Sequence, residues 1–288
     1  MLRVGVILSG SGVYDGSEIQ ESVLTILALD RANAQAIFFA PNKNQSEVIN
    51  HLSGQVAHEA RNVLVESARI SRGNIRDIRE ARAADLDAVI IPGGWGVVKN
   101  LSDFCWNGER CRVDAEVYRL LQEMAAAQKP IGATCIAPAV VAKVLADRKP
   151  RLTIGTDKSK SETLKKLGAK TVDAQADEIV VDENLQIITT PAYMTAGRIS
   201  EVAGGIDRLV EAVLRRAAIQ AKRIAADSAA ASLAFRKHAA DSATARIVSR
   251  RRTAADSATA RVDSRVRRLS SRATRPNTSK RRTKAVRA

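Results

Sequence analysis

The sequence predicts an α/β protein in which a parallel sheet is covered by helices on both faces. Short apolar runs alternate with amphipathic stretches of helical period, which is the pattern of such a sheet. The runs are apolar throughout, as expected for strands that are buried on both faces. A hydrophobic content of 45% over 288 residues is ordinary for a globular protein.

The elements follow from these patterns in chain order. Apolar runs predict the strands Val4–Leu8, Ala36–Ala40, Ala88–Ile91, Pro130–Ala133 and Arg151–Thr156. Helical periodicity predicts helices over Glu18–Ala32, Asp114–Gln128, Ala137–Ala146, Ser161–Leu167 and from about Gly197 to Leu214.

Two further stretches need a separate explanation. Residues 178–190 contain two apolar runs joined by a polar Asp-Glu-Asn turn, which predicts a hairpin near the sheet edge. Residues 42–78 are too long for a simple connection. The periodic segment Asn62–Ile70 predicts an inserted helix there, over the carboxyl ends of the strands, where sites lie in such folds.

The positive charge belongs to the C-terminal part of the chain. The net charge is +15, and residues 218–288 hold 19 Lys+Arg against 4 Asp+Glu. Residues 1–217 are therefore balanced in charge, so the high net charge says nothing about the folded part. We predict a folded domain over 1–217 and a basic Ala/Arg/Ser-rich tail over 218–288.

The tail is repetitive. Ala-Ala-Asp-Ser recurs at Ala225, Ala239 and Ala254, with spacings of 14 and 15 residues. Because such residues bury little apolar surface, we expect some helix past Ala217 and disorder from about Ser249. Two interpretations remain open: a solvated extension without a role, or an electrostatic arm that binds nucleic acid without sequence preference.

Several classes of protein are excluded by composition. Three cysteines without a CxxC pair do not form a disulfide framework or a zinc knuckle, and we predict no metal site. The Ser9–Gly12 loop lacks the spacing of a dinucleotide fingerprint, so we predict no NAD. The first strand leaves no room for a leader, and no apolar run is long enough to span a membrane. We therefore predict a cytoplasmic protein without a membrane partner.

Cys135 is the best candidate for a reactive group. It lies where the apolar run Pro130–Ala133 ends and the next helical pattern begins. A cysteine in such a turn points its sulfur at the first free N–H groups of the helix. Those amides and the helix dipole favour a thiolate, so we expect Cys135 to be ionised at neutral pH.

Two glycine-rich loops should meet Cys135 at the carboxyl end of the sheet. One follows the first strand and ends at Glu18, and the other contains Gly93 and Gly94. Glycines allow the backbone to aim N–H groups at a substrate oxygen, and the amide of Ile136 supplies another donor. Glu18 begins the first helix and is the candidate partner carboxyl.

Five stretches of the sequence also resemble a known family. They are Gly5–Ile19, Ile91–Leu101, Cys135–Pro138, Leu152–Asp157 and Thr189–Met194. In these motifs the chain resembles the ElbB family of isoprenoid biosynthesis proteins, which belongs to the class I glutamine amidotransferase-like, PfpI-like superfamily. The resemblance covers roughly residues 1–216 and leaves out the tail.

The resemblance implies a flavodoxin-like three-layer sandwich and a weak, cofactor-free glyoxalase activity that converts glyoxal to glycolate. It implies Cys135 as nucleophile, Glu18 as partner carboxyl, and the Gly93–Gly94 turn as part of an oxyanion hole completed by Ile136. Relatives of this scaffold commonly associate as dimers or larger assemblies, so we also expect a homo-oligomer.

One departure from the superfamily pattern limits the chemistry. Many superfamily hydrolases carry a histidine directly after the nucleophile, whereas this chain has Ile136. Without that base, glutamine hydrolysis or proteolysis is hard to support. The alternative to an enzyme is a non-catalytic or redox-responsive regulator on the same scaffold. In that case Cys135 is a small buried hydrophobe or a redox sensor, and Glu18 only a helix-start carboxylate.

Overall fold

A seven-stranded sheet forms the centre of the first of two units, Met1–Ile224; the second unit starts at Ala225. The structure is a computed structural model that describes residues 1–273, without the side chains of 233, 237, 239–243 and 271–273. The first unit extends slightly beyond the domain boundary predicted at Ala217.

The strands are β1 Arg3–Ile7, β2 Gln35–Ala40, β3 Ile49–Asn50, β4 Gln55–Val56, β5 Ile75–Asp77, β6 Ala88–Ile91, β7 Ile131–Thr134, β8 Arg151–Leu152, β9 Lys170–Thr171, β10 Val180–Asp182 and β11 Ile187–Thr190. The helices are α1 Ile19–Arg31, α2 Val63–Ile70, α3 Trp95–Lys99, α4 Phe104–Asn107, α5 Ala115–Ala126, α6 Pro138–Val144, α7 Lys158–Lys166 and α8 Ile199–Ala273. Short 3-10 turns join several of them.

The main sheet has the order β10-β11-β7-β6-β1-β2-β5. All neighbouring strands run parallel except β10, which pairs antiparallel with β11 at the edge. The predicted α/β class and the predicted edge hairpin are therefore confirmed. The strands β1, β6 and β7 lie side by side, so their carboxyl ends meet at the centre of the sheet.

Two hydrophobic layers cover the sheet, one on each face. Alternate residues of a strand point to opposite faces, so Ile7 packs with α5 and α6 on one face, while Val6 packs with α1 and the start of α8 on the other. Leu120 and Leu121 of α5 and Val213 of α8 are fully buried. Each such side chain contributes about 1.5–3 kcal/mol by leaving water. The result is the predicted three-layer sandwich.

Two predicted elements differ in the structure. The predicted strand Arg151–Thr156 is reduced to β8, which pairs with β9 outside the main sheet. The predicted inserted helix exists as α2, but it packs against β2, β5 and α1 as a crossover helix. The sheet-edge strand β5 was not predicted, because Ile75–Asp77 is too short and too polar to stand out as an apolar run.

The tail is helical where we expected disorder. α8 continues to Ala273, which corrects the prediction of disorder from Ser249 over residues 249–273. Alanine and arginine are strong helix formers. The serine and threonine hydroxyls bond back to the helix, as Thr259 Oγ1 does to the carbonyl of Ala255 at 2.9 Å. The rest of the predicted disordered tail, 274–288, lies outside the described residues.

Among the helices of residues 1–273, none has the length and apolar character needed to cross a membrane.

Candidate active site

Three loops converge at the carboxyl ends of β1, β6 and β7. Leu8 to Glu18 connect β1 to α1, Pro92–Gly94 connect β6 to α3, and Cys135–Ala137 connect β7 to α6. The amide of Glu18 donates to the carbonyl of Gly93 at 2.8 Å, which ties the first two loops together. The sequence-based prediction that these loops meet is supported by this geometry.

Cys135 adopts a backbone conformation that few side chains tolerate. Its φ is 57°, in the left-handed region, and its amide donates to the carbonyl of Thr190 at 3.0 Å. Strained conformations of this kind persist where the surroundings over-determine them, which is common at functional sites. The turn leaves Cys135 half-buried, and the N–H groups of Gly94 and Ile136 lower the pKa of its thiol.

The two glycines of the β6 loop allow this close approach. A Cβ on Gly93 would lie 2.4 Å from the Cβ of Cys135 and 2.6 Å from Glu21 Oε2. Gly94 has φ +102°, and a Cβ there would lie 2.3 Å from the amide nitrogen of Glu18. Only glycine therefore fits at either position while the sulfur keeps its backbone donors.

Glu21, which the sequence analysis did not single out, is the carboxyl beside the sulfur. It is fully buried on α1, and its charge raises the pKa of the neighbouring Cys135 thiol. Its Oε2 accepts from the amide of Gly93 at 2.8 Å and from Thr134 Oγ1 at 2.6 Å. Its Oε1 is buried and has no hydrogen-bond partner among the described residues. With Oε2 occupied by two donors, Oε1 is the oxygen left to carry a proton.

Glu18, the predicted partner carboxyl, has a different place. It is the N-cap of α1, and its Oε2 accepts from the amide of Glu21 at 2.6 Å. Glu18 lies one helical turn before Glu21, so its carboxylate stabilises the helix start while Glu21 reaches the sulfur. Glu21, and not Glu18, is therefore the carboxyl whose charge acts on the Cys135 thiol.

Gly93, predicted for the oxyanion hole, also has a different role. Its N–H is shared by Glu21 Oε2 and by Thr134 Oγ1 at 2.9 Å, so it fixes the carboxyl group instead of facing a substrate. The donors that point at the sulfur are those of Gly94 and Ile136. Of the three residues predicted for the oxyanion hole, Gly94 and Ile136 are thus the two whose amides act on the sulfur.

The buried pair has unusual proton affinities. Burial, with a smaller contribution from the charge of Glu18, raises the pKa of Glu21 to about 7, against the opposing effect of its hydrogen bonds. Burial and the charge of Glu21 raise the pKa of Cys135 well above its usual range, although the amides of Gly94 and Ile136 lower it. The expectation of a thiolate at neutral pH is corrected by this finding: burial outweighs the backbone donors.

A pocket of about 250 Å³ opens onto the sulfur. It is lined by Val13, Gly94, Trp95, Cys135, Ile136, Lys160, Tyr193 and Met194. Histidine is absent from this lining, and Ile136 occupies the position where the superfamily pattern has one. Among the side chains that the structure describes, no three His, Cys, Asp or Glu cluster in a way that could hold a metal ion.

A comparison with models of protein families identifies the family to which this chain belongs. The model of the DJ-1/PfpI family matches residues 13–198. The chain belongs to the DJ-1/PfpI family. This finding and the sheet topology confirm the flavodoxin-like fold class.

Individual relatives agree with this membership. The chain is 43% identical over 222 residues to the human "Glutamine amidotransferase-like class 1 domain-containing protein 3, mitochondrial", covering 74% of this chain and 82% of that protein. It is 33% identical over 235 residues to "ES1 protein, mitochondrial" of Danio rerio, covering 75% of this chain and 86% of that protein. The mitochondrial location in these names contradicts the cytoplasmic prediction.

A solved structure is also similar. The isoprenoid biosynthesis protein with amidotransferase-like domain from Ehrlichia chaffeensis matches with a TM-score of 0.71 and 40% identity. The match covers 75% of this chain and 99% of that one. Each of these matches covers about three quarters of this chain, and the family model lies within the first unit.

Proposed function

We propose that this DJ-1/PfpI protein is a cofactor-independent glyoxalase of the ElbB type, which converts glyoxal and water to glycolate. The observation that carries the proposal is the buried Glu21–Cys135 pair beneath a small pocket, with two backbone N–H donors at the sulfur. A carboxyl group with a pKa near 7 exchanges protons readily at neutral pH.

The first step forms a carbon–sulfur bond. Because the pKa of the Cys135 thiol is high, the Glu21 carboxylate takes the thiol proton as the sulfur attacks one aldehyde carbon. The carbonyl π bond breaks, and the charge on its oxygen is stabilised by the N–H groups of Gly94 and Ile136. Glu21 then returns the proton to that oxygen, giving a hemithioacetal.

The second step moves a hydrogen between the two carbons. The Glu21 carboxylate removes the C–H proton of the thiolated carbon, and that electron pair forms a C=C bond as the π bond of the second carbonyl breaks, which gives an enediolate. The hydroxyl proton on the first carbon then passes to the oxygen of the second carbon. Glu21 delivers its proton to the second carbon, so that the first carbon becomes a thioester carbonyl and the second a hydroxymethyl group. One carbon is oxidised and its neighbour reduced, so no external oxidant or reductant is required.

The third step releases the product. Water attacks the thioester carbon while the Glu21 carboxylate takes one of its protons, the C–S bond breaks, and the sulfur leaves with the electron pair and receives that proton from Glu21. The pocket volume of about 250 Å³ lies near the lower end for ligand sites, which suits a small 2-oxoaldehyde. Methylglyoxal is therefore a second substrate to test.

The decisive experiment is a steady-state assay with glyoxal and methylglyoxal on the wild type and on Cys135→Ala, with the product followed by NMR. We expect glycolate from the wild type and a loss of about 10³-fold or more in the variant. Full turnover in Cys135→Ala would overturn the proposal. So would wild-type turnover no faster than that of a free thiol, which would leave a regulatory protein as the function.

We also propose that the chain forms a homo-oligomer. Ile19, Val23 and Leu27 lie at successive turns of α1 and are 46%, 50% and 39% exposed, so they form an apolar stripe on the surface of one chain. Sedimentation of the wild type and of Val23→Glu tests this. A wild type that sediments as a monomer would contradict it.

A second activity is proposed for the basic tail: binding of nucleic acid without sequence preference. It is supported by the 19 Lys+Arg against 4 Asp+Glu in residues 218–288. Basic side chains release counterions from phosphates, so the affinity of the full-length protein for a DNA duplex should fall steeply with salt. No detectable duplex binding at low salt would contradict this activity.

A further inference from the structure

The described part of the tail is one long helix with a repeat that matches its turns. Residues 225–273 are helical, a length of roughly 70 Å at the rise of an α-helix. The Ala-Ala-Asp-Ser repeat recurs after 14 and then 15 residues. Four helical turns take about 14.4 residues, so the repeat returns to nearly the same side of the helix each time.

This register separates the charges. At about 100° per residue, six arginines fall within an arc of about 100° on one side of the helix. They are Arg236, Arg246, Arg250, Arg261, Arg265 and Arg268, all exposed. Asp227, Asp256 and Asp263 are also exposed, but they lie about 150° from the centre of that arc. We call the six-arginine side the arginine face.

Not every arginine follows the pattern. Arg252 and Arg267 lie on the aspartate side, and both are exposed. Between the two sides runs a thin apolar stripe that includes Val248, Val262 and Val266. The exposed Arg251 also lies outside the arginine face. The helix therefore has a basic side and, opposite it, a side where aspartates and two arginines mix, rather than a basic side opposite a broad apolar one.

We infer that the arginine face docks on the phosphate backbone of a nucleic-acid duplex, with the aspartates turned away from it. This rests on the nucleic-acid binding proposed above for the tail. Guanidinium groups pair with phosphate in a bidentate manner, and a duplex presents its phosphates as a dense, regular array. Carboxylates in the same arc would repel that array, and the repeat keeps them out of it.

An anionic membrane is the competing partner. A helix that lies in a membrane interface needs a wide apolar face, rich in large side chains, opposite its polar face. Here the side opposite the arginines carries aspartates, and the apolar stripe consists largely of valine and alanine. The charge pattern thus favours a duplex over a lipid surface.

The test compares two double variants of the full-length protein that remove equal charge. Arg250→Gln with Arg261→Gln removes two members of the arginine face, and Arg252→Gln with Arg267→Gln is the matched control. Glutamine forms helices nearly as well as arginine, so the helix should be retained, which circular dichroism can verify. Binding to a short DNA duplex is measured by fluorescence anisotropy over a series of salt concentrations. Binding to phosphatidylserine vesicles is measured in parallel.

We expect the arginine-face pair to weaken duplex binding about tenfold at low salt and to lower the slope of log K against log salt by up to about 1.8. The control pair should change both quantities much less. Equal losses in both variants would overturn the arginine face but leave nucleic-acid binding by the tail intact. Absence of duplex binding in the wild type would refute both, and tighter binding to vesicles than to duplex would refute docking on a duplex.

Discussion

The two units of this chain use charge in opposite ways. In the sandwich, one carboxyl group at Glu21 is fully buried and held by Gly93, Thr134 and Cys135. In the tail helix, the charged side chains described are exposed and repeat along the axis. A buried charge acts through the specific groups that contact it, whereas exposed charges act through how many there are and on which side of the helix they lie. A single substitution should therefore have a large effect on activity at Glu21 and a small effect on binding in the tail helix.

The largest expected effect comes from a comparison of two Glu→Gln variants, one at Glu21 and one at Glu18. Glu21→Gln should lower kcat/KM for glyoxal by about 10²–10³-fold, because the proton carrier is lost. Glu18→Gln keeps an oxygen to cap α1 and should lower it less than about fivefold. Steady-state kinetics of both variants measure this. A larger loss for Glu18→Gln would return the partner role to Glu18.

The pH dependence of turnover sharpens the same point. The pair is competent when Glu21 is a carboxylate and Cys135 a thiol, so kcat/KM should rise with pH through the Glu21 pKa of about 7. Because the charge of Glu18 contributes to raising that pKa, Glu18→Gln should move the rising limb to lower pH. A limb that stays at the same pH in Glu18→Gln would argue against this coupling.

The free energy of unfolding should fall as pH rises through the Glu21 pKa, whereas activity should rise. The pKa of Glu21 is about 7 in the folded chain against 4.5 unfolded, so the folded state binds more protons between these values and loses stability as pH rises through them. Glu21→Gln avoids this loss. We expect it to raise the free energy of unfolding by about 2 kcal/mol above pH 7, and to bring no such gain near pH 4. Denaturation at both pH values, with Glu18→Gln as control, would show whether the gain depends on pH.

The smallest effect is expected in the tail helix. Ala258→Gly should weaken the helix locally by about 1 kcal/mol, since glycine is a poorer helix former. Hydrogen exchange should become faster at amides around residue 258, while the melting temperature of the sandwich unit stays the same. A changed melting temperature would show that the stability of the two units is linked.

The architecture and the position of Cys135 in the candidate site were accessible from sequence because their signals are local. An unbroken apolar run marks a strand buried on both faces, and β1, β6 and β7 each carry one. Cys135 was found because it directly follows such a run. The minor strand β5 was missed because three residues carry no usable pattern.

Glu21 was missed because α1 reverses the usual pattern of burial. Its buried side includes Glu21 and Thr25, while the apolar Ile19, Val23 and Leu27 face outward. A prediction from amphipathicity would turn the helix the other way and expose Glu21. A usable signal was present: Glu18 at the helix start fixes the N-cap, and the residue one turn later lies on the same side of the helix.

The tail was misjudged for a different reason. Its composition argues against a packed hydrophobic core. A single helix rich in alanine and arginine, however, forms without such a core. The repeat spacing of 14 and 15 residues was the signal, since it equals about four turns.

The hydrogen bond that the Cys135 amide donates to the carbonyl of Thr190 has a consequence for biosynthesis. Contacts to the sulfur and to its partner carboxyl come from α1, the β6 loop and β7, and the Cys135 backbone is fixed by the end of β11. A ribosome must therefore have translated past residue 190 before this constellation can assemble. Until then Cys135 is an ordinary cysteine of the nascent chain, without the buried Glu21 that raises the pKa of its thiol in the completed sheet.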